Sequence, residues 1–173
     1  RVLFRSHETT YMMMQSMLDN ADLIRDNVVM DMGCGTALLA ILAAKMEAAK
    51  VYGIDIDAVA AQSAYDNARL NRVGRKVETY CGDASLLQMG KYNVLLANIH
   101  RNIIIMDLRT YAGSLKAGGL LMLSGFYTTD VEAIMAEAVK YGLELVCERE
   151  RDGWACLTLR RTSPVSISSI LGA

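Results

Sequence analysis

No stretch of this 173-residue chain is apolar for long enough to cross a bilayer as a helix; the richest, Ala37 to Ala49, is interrupted by Lys45 and Glu47. Close-spaced cysteines are lacking too. Cys34, Cys81, Cys147 and Cys156 are widely scattered, which removes the paired-cysteine zinc sites and the disulfide scaffolds. Charge of one sign is also missing: 18 basic against 19 acidic residues leave a net charge of −1 and no field that would steer the whole chain onto nucleic acid. A local basic run, Arg69, Arg72, Arg75 and Lys76, reads as a solvated helix end. There is no internal repeat and no low-complexity linker, and the length suits one domain. The start, Arg1-Val2-Leu3-Phe4-Arg5-Ser6-His7, has no long apolar core of the signal-peptide kind, so the expectation is a cytoplasmic protein without membrane or direct nucleic-acid partners.

What is present centres on Asp31-Met32-Gly33-Cys34-Gly35-Thr36, which joins the apolar run Val28-Val29-Met30 to a long Ala/Leu-rich helical pattern. A strand running through a glycine-bearing turn into a helix is a cofactor-binding corner. About twenty residues on, Val51-Tyr52-Gly53-Ile54 ends in Asp55, where a carboxylate can accept hydrogen bonds from ribose hydroxyls. The plainer alternatives are a tight turn at Gly33 and Gly35, and a helix N-cap for the acid, a role that fits Asp57 better than Asp55. Cys34 stands beside a helix N-terminus, which can lower a thiol's pKa; alternatively it is a small side chain filling a crowded turn.

Periodicity predicts alternating helices and strands: helices near Glu8 to Ala21, Ala37 to Ala49, Ala58 to Asn71, Ile103 to Leu115 and Asp130 to Tyr141. Strands are predicted at Val28 to Met32, Val51 to Ile54, Val77 to Cys81, Asn93 to Ala97 and Leu120 to Ser124, the last entered by a turn at Ala117-Gly118-Gly119. Met12, Met13, Met14, Met17 and Leu18 give the first helix an apolar stripe that reads as core. Leu143 to Arg149 and Trp154 to Arg160 form a closing pair of strands around Asp152-Gly153, a hairpin signal. A dinucleotide-binding fold would continue instead into a second βαβαβ half, and Leu38 stands where the dinucleotide fingerprint wants its third small residue. A dehydrogenase therefore ranks last.

These residues resemble those of class I S-adenosylmethionine-dependent methyltransferases, and more narrowly the catalytic domain of PrmA-type enzymes, which methylate protein eleven of the large ribosomal subunit. The resemblance is carried by His7-Glu8-Thr9-Thr10, the Asp31 to Thr36 corner, Gly53-Ile54-Asp55-Ile56-Asp57, Asn67-Ala68-Arg69-Leu70-Asn71, Ala97-Asn98-Ile99, Leu123-Ser124-Gly125 and Trp154. It implies a three-layer α/β, Rossmann-like fold with a mostly parallel seven-stranded sheet and an antiparallel last strand. The family's Phe-Gly-Thr-Gly loop before the histidine is replaced here by Phe4-Arg5-Ser6, and the expectation is that the family's N-terminal recognition domain is not part of these 173 residues. The expectation is a catalytic domain at 1–161, with 1–6 expression-derived and a tail at 162–173 that is vector-derived or disordered.

The resemblance also implies site roles. Gly33 and Gly35 let the backbone approach S-adenosylmethionine, Asp55 binds its ribose, Thr10 bonds it from above, and His7 and Thr9 shape the same lid. Asp83 either takes the adenine amine or serves an ordinary turn. Asn98 is the candidate for both cofactor contact and the chemical step, since an amide oxygen and a neighbouring carbonyl can aim an amine lone pair; otherwise it is a strand-end turn residue. The run Asn98-Ile99-His100-Arg101 lacks the prolines that follow this asparagine in enzymes acting on planar nitrogens, which fits amine substrates, lysine side chains and an N-terminal amine of the ribosomal protein. His100 reads as an exposed loop residue. The alternatives are a methyltransferase for another amine or small molecule, and a fragment that binds cofactor without turnover.

Overall fold

The computed structural model describes residues 2–162, with side chains from residue 7. The tail set apart above lies outside the described residues from 163 onward. Seven strands, β1 (Val28–Met32), β2 (Lys50–Asp55), β3 (Val77–Cys81), β4 (Tyr92–Asn98), β5 (Leu115–Tyr127), β6 (Leu143–Arg151) and β7 (Trp154–Arg161), form one sheet in the order β3-β2-β1-β4-β5-β7-β6. The first five are parallel, and β7 runs antiparallel to both β5 and β6. Six helices accompany it: α1 (Val2–Asp19), α2 (Ala21–Ile24), α3 (Leu38–Lys45), α4 (Ala58–Leu70), α5 (Arg101–Ser114) and α6 (Val131–Ala138).

The central strands read as continuous apolar runs because both their faces are covered, as parallel sheets require. Val29, Val51, Val94, Leu96, Leu120 and Met122 pack beneath α1, α3 and α4. Their alternating neighbours Met30, Leu95, Ala97, Leu121 and Leu123 pack beneath α5 and α6. Of the α1 stripe, Met12, Met13 and Met17 are fully buried and Met14 partly so, whereas Leu18, on the outer side of the helix end, is exposed rather than core. Ala40, Ala43 and Ala44 are buried on α3, where small side chains bring the helix close to the sheet.

Most elements start and stop near their predicted limits, but α1 begins at Val2, six residues before Glu8, and ends at Asp19, with the short, unpredicted α2 following it. Helix α3 is shorter than its Ala-rich pattern, opening after Ala37 in the left-handed region and closing at Lys45 before a turn through Glu47 (φ 69°). The turn at Ala117-Gly118-Gly119 exists, but as a loop inside β5: pairing with β4 jumps from Tyr92 and Leu115 to Val94 and Leu120. Asp152 (φ 50°) and Gly153 (φ 83°) both take positive φ, the twist a two-residue hairpin needs.

Two arginines of β6 fasten α1 across the sheet. Arg149 pairs with Asp19 and donates to Ser16 Oγ at 3.1 Å, while Arg151 pairs with Glu8 and lies 4.2 Å from the centre of the Tyr11 ring. No helix of the described residues is long and apolar enough to span a membrane.

Because Met13 is wholly buried between α1 and the sheet, Met13→Ala should cost about 2–5 kcal/mol. Urea denaturation would show this as a lower midpoint with an unchanged slope.

Candidate functional site

The strand order reverses between β1 and β4, so a crevice opens at their carboxyl ends, where open α/β sheets bind ligands. β1 runs out at Met32 into Gly33 (φ 67°), Cys34, Gly35 (φ 53°), Thr36 and Ala37 (φ 69°) before α3 begins. The N–H groups of Gly33 and Cys34 both donate to the Ile54 carbonyl, at 2.7 and 3.0 Å, which folds the corner against the end of β2.

Asp55 closes β2 and ties the corner to it. One carboxylate oxygen accepts from Gly35 N–H at 2.9 Å and the other from Asp57 N–H at 2.9 Å. A carboxylate oxygen has two acceptor positions, so each retains one beyond these bonds. Asp57, not Asp55, caps α4, accepting from Val59 N–H at 2.9 Å. An ideal Cβ at Gly35 would meet no atom within 4 Å, so the corner presents bare backbone to open space.

Asn98 ends β4 opposite Ser124 of β5, and its Nδ2 donates to Thr10 Oγ1 of α1 at 3.5 Å. The structure thus brings Thr10 and Asn98 together, next to the Gly33 corner. Ile99 connects the pieces. Its N–H donates to the Ser124 carbonyl at 3.0 Å, and its side chain lies 3.1 Å from where a Gly33 Cβ would stand. On its other side is Gly125 (φ 99°), at a bulge in β5, where a Cβ would fall 2.5 Å from the Ile99 carbonyl oxygen.

The remaining candidates fall as follows. Thr9 is buried and His7 exposed. His100 is exposed at the N-cap position of α5. Asp83 accepts from both the N–H and the hydroxyl of Ser85, at 2.9 and 2.5 Å; these bonds hold its carboxyl below the usual range and fit the turn reading. Cys34 is not a reactive thiol. Burial, at 7% exposure, and the negative charges of Asp31 and Asp55 push it up to about 12, overriding any effect of the helix terminus. Among the described residues no group of three or more His, Cys, Asp or Glu stands ready to hold a metal ion.

Two residues escape sequence reasoning. Ile56, directly after Asp55 and past the predicted end of its strand, is 79% exposed, an apolar surface at the rim of the crevice. Asp31 is 2% exposed under the corner; burial above all, with Asp55 adding to it, raises its carboxyl to about 7 against the pull of a hydrogen bond from Ala40. A signal existed for Asp31, an acid inside an otherwise apolar strand.

Comparison with known proteins decides the family. Residues 5–162 match the family described as ribosomal protein L11 methyltransferase (PrmA). The chain belongs to that family. A PrmA relative from Porphyromonas gingivalis is 45% identical over 159 residues, covering 91% of this chain and 54% of its own length. Another, from Paraburkholderia phymatum, is 34% identical over 152 residues, covering 88% and 48%. The chain thus spans about half the length of the curated relatives it matches. Among solved structures, a ribosomal protein L11 methylase from Lactobacillus delbrueckii superimposes with a TM-score of 0.83 at 23% identity, over 91% of this chain and 80% of that one. An RNA methyltransferase from Salinibacter ruber does so at 0.70 and 19%, over 88% and 92%. Both show the shared fold: a seven-stranded methyltransferase-type α/β sheet.

Gly125→Ala should cost about 2–4 kcal/mol in urea denaturation, combining a strained positive φ with a clash against the Ile99 backbone. Asp31 generates a pH dependence. Its folded pKa lies above the ordinary 3.8, so the native state holds the proton longer than the unfolded chain, and stability is lost as pH rises between about 4 and 7. The difference amounts to about 4 kcal/mol at full ionisation. Asp31→Asn should flatten that decline when denaturation midpoints at pH 5 and pH 8 are compared.

Proposed function

We propose that residues 1–161 form the catalytic domain of a cytoplasmic protein N-methyltransferase, using S-adenosylmethionine to methylate amino groups of ribosomal protein L11, namely lysine side chains and the N-terminal amine. The observation that carries this reading is the family match across residues 5–162, which contains every assigned site residue. The local geometry supports it. Gly35 leaves its backbone bare for a nucleoside cofactor, Gly33 makes room at the turn for Ile99, and the first-turn N–H groups of α3 suit the cofactor's carboxylate. Asp55, with one acceptor position left on each oxygen, suits the two ribose hydroxyls. Ile56 offers an apolar surface for the adenine ring.

When bound, S-adenosylmethionine supplies a sulfonium-activated methyl group: the amine nitrogen forms the new C–N bond as the C–S bond breaks, S-adenosylhomocysteine leaves, and the amine proton passes to water. The chain's own residues position and select. Asn98 Nδ2 is engaged by Thr10, which leaves Oδ1 to accept an N–H of the incoming amine, while a neighbouring backbone carbonyl accepts another. Holding both protons aims the lone pair, and exclusion of water keeps it free. Thr10, carried on α1, completes the cofactor side of the same contact, so α1 acts as a cover whose position the β6 arginines set.

Calorimetric titration of the full chain with S-adenosylhomocysteine should show binding that Asp55→Ala weakens about ten-fold or more, near 1.4 kcal/mol. Asn98→Ala should lower the rate of methyl transfer to L11 by about 100-fold, more than it lowers cofactor affinity. No binding to the wild type removes the cofactor assignment; equal transfer to free lysine and to L11 removes the substrate assignment.

A further inference from the structure

The opposite edge of the sheet carries a second concave surface of different chemistry. At the amino ends of β2 and β3, α3 finishes at Lys45, and α4 runs out through Arg69 into a turn that reads Arg72-Val73-Gly74-Arg75-Lys76. These segments enclose an open cavity of about 770 Å³. Five cations line it, Lys45, Arg69, Arg72, Arg75 and Lys76, together with Tyr65 and no carboxylate. The basic run that reads in sequence as a solvated helix end is therefore gathered, with Lys45 from another helix, around one hollow.

Its cations have no acidic partner among the described residues. Arg25, Lys50, Arg101, Lys140, Arg149 and Arg151 each pair with an acidic side chain; Lys91, Arg109, Lys116, Arg160 and Arg161 do not, nor do the five cavity cations, but those five are gathered around one hollow. A chain of net charge −1 thus concentrates unpaired positive charge in one place, where an anion would relieve its repulsion. The hollow is also held in shape. Backbone N–H groups of Arg72 and Val73 donate to the Arg69 and Ala68 carbonyls at 3.0 and 2.9 Å, and that of Lys76 to Val73 at 3.0 Å. Gly74 packs so tightly on Arg69 that a Cβ there would lie 3.0 Å from Arg69 Cγ.

Tyr65 decides which anion fits. Tyr65 is 44% exposed, its hydroxyl accepts from Arg69 Nη1 at 3.3 Å, and the Arg69 guanidinium carbon lies over the ring, 5.7 Å from its centre. A cationic hollow wide enough for several phosphates, with an exposed aromatic ring inside it, matches a phosphate backbone that carries planar bases, since bases stack on such rings without regard to sequence. A lone phosphate would call for a small closed cage. We propose that this cavity is a docking surface for single-stranded nucleic acid. It stands at the far end of α4 from Asp55, about 20 Å away for 13 helical residues, and is independent of the methyl-transfer reading.

The test is fluorescence anisotropy of labelled twelve-nucleotide RNA and DNA single strands titrated with the full chain. Inorganic polyphosphate and phosphatidylserine vesicles serve as competitors, and circular dichroism checks the fold of each variant. Wild-type affinity should fall roughly 20- to 130-fold between about 50 and 200 mM salt, the range for three to five neutralised phosphates. The Arg72→Glu, Arg75→Glu double variant should bind at least about ten-fold more weakly at low salt. Tyr65→Ala should weaken oligonucleotide binding about five-fold or more while leaving polyphosphate binding unchanged. Preference for the RNA strand supports the proposal and assigns the sugar; equal binding of both strands supports it with backbone and base faces as the recognised parts. Absence of oligonucleotide binding overturns it, as does indifference to either variant, or displacement by vesicles more readily than by unlabelled strand.

Discussion

Ile99 packed between Gly33 and Gly125 is the contact on which the crevice depends. The side chain occupies the space a Cβ at Gly33 would need, and its backbone occupies the space a Cβ at Gly125 would need. Both glycines adopt positive φ, which L side chains resist, so the ends of β1, β4 and β5 can meet only because these two positions carry no side chain. That closeness puts Asn98 beside the cofactor corner and within reach of Thr10. The same segment leads directly into α5, whose N-terminal Arg101 is held to Asp130 at 3.2 Å, so the loop is anchored at both ends.

Asp55 plays the corresponding part on the other side of β1. Its carboxylate links the glycine corner to the start of α4 through two backbone N–H groups, so one side chain sets the distance between two loops. The charge this brings to the corner has consequences for its neighbours. Asp31 and Cys34 lie in the same poorly solvated pocket, and both are driven toward their neutral forms. Because burial raises the Asp31 carboxyl to about 7, part of its population is neutral near neutral pH, which lessens its repulsion with the half-buried Asp55.

The two edges of the sheet divide the chemistry. Carboxyl ends of the strands hold glycines, Asp55 and Asn98, with α1 clamped above by arginines whose charges are met by Asp19 and Glu8. Amino ends hold the gathered cations that no carboxylate meets. A chain almost neutral as a whole therefore presents local fields of quite different sign, which composition conceals because it sums over the surface.

Strand and helix order, the closing hairpin and the glycine corner after β1 were legible in the sequence because each rests on local rules: apolar period, glycine at positive φ, and Asp-Gly in a two-residue turn. Helix ends were less so, since Lys45 rather than Ala49 ends α3 through a turn whose hydrogen bonds involve residues beyond the helix. The sequence by itself determined which residues could bend, cap and pack. Only the tertiary structure decided the environment of each: that Cys34 is inert beside two carboxylates, that Ile56 faces outward, that Asn98 Nδ2 is occupied by Thr10, and that Lys45 joins four distant cations around one ring. The physical reason is that burial, charge and shape are sums over neighbours brought together by folding, from residues as far apart in the chain as Thr10 and Asn98.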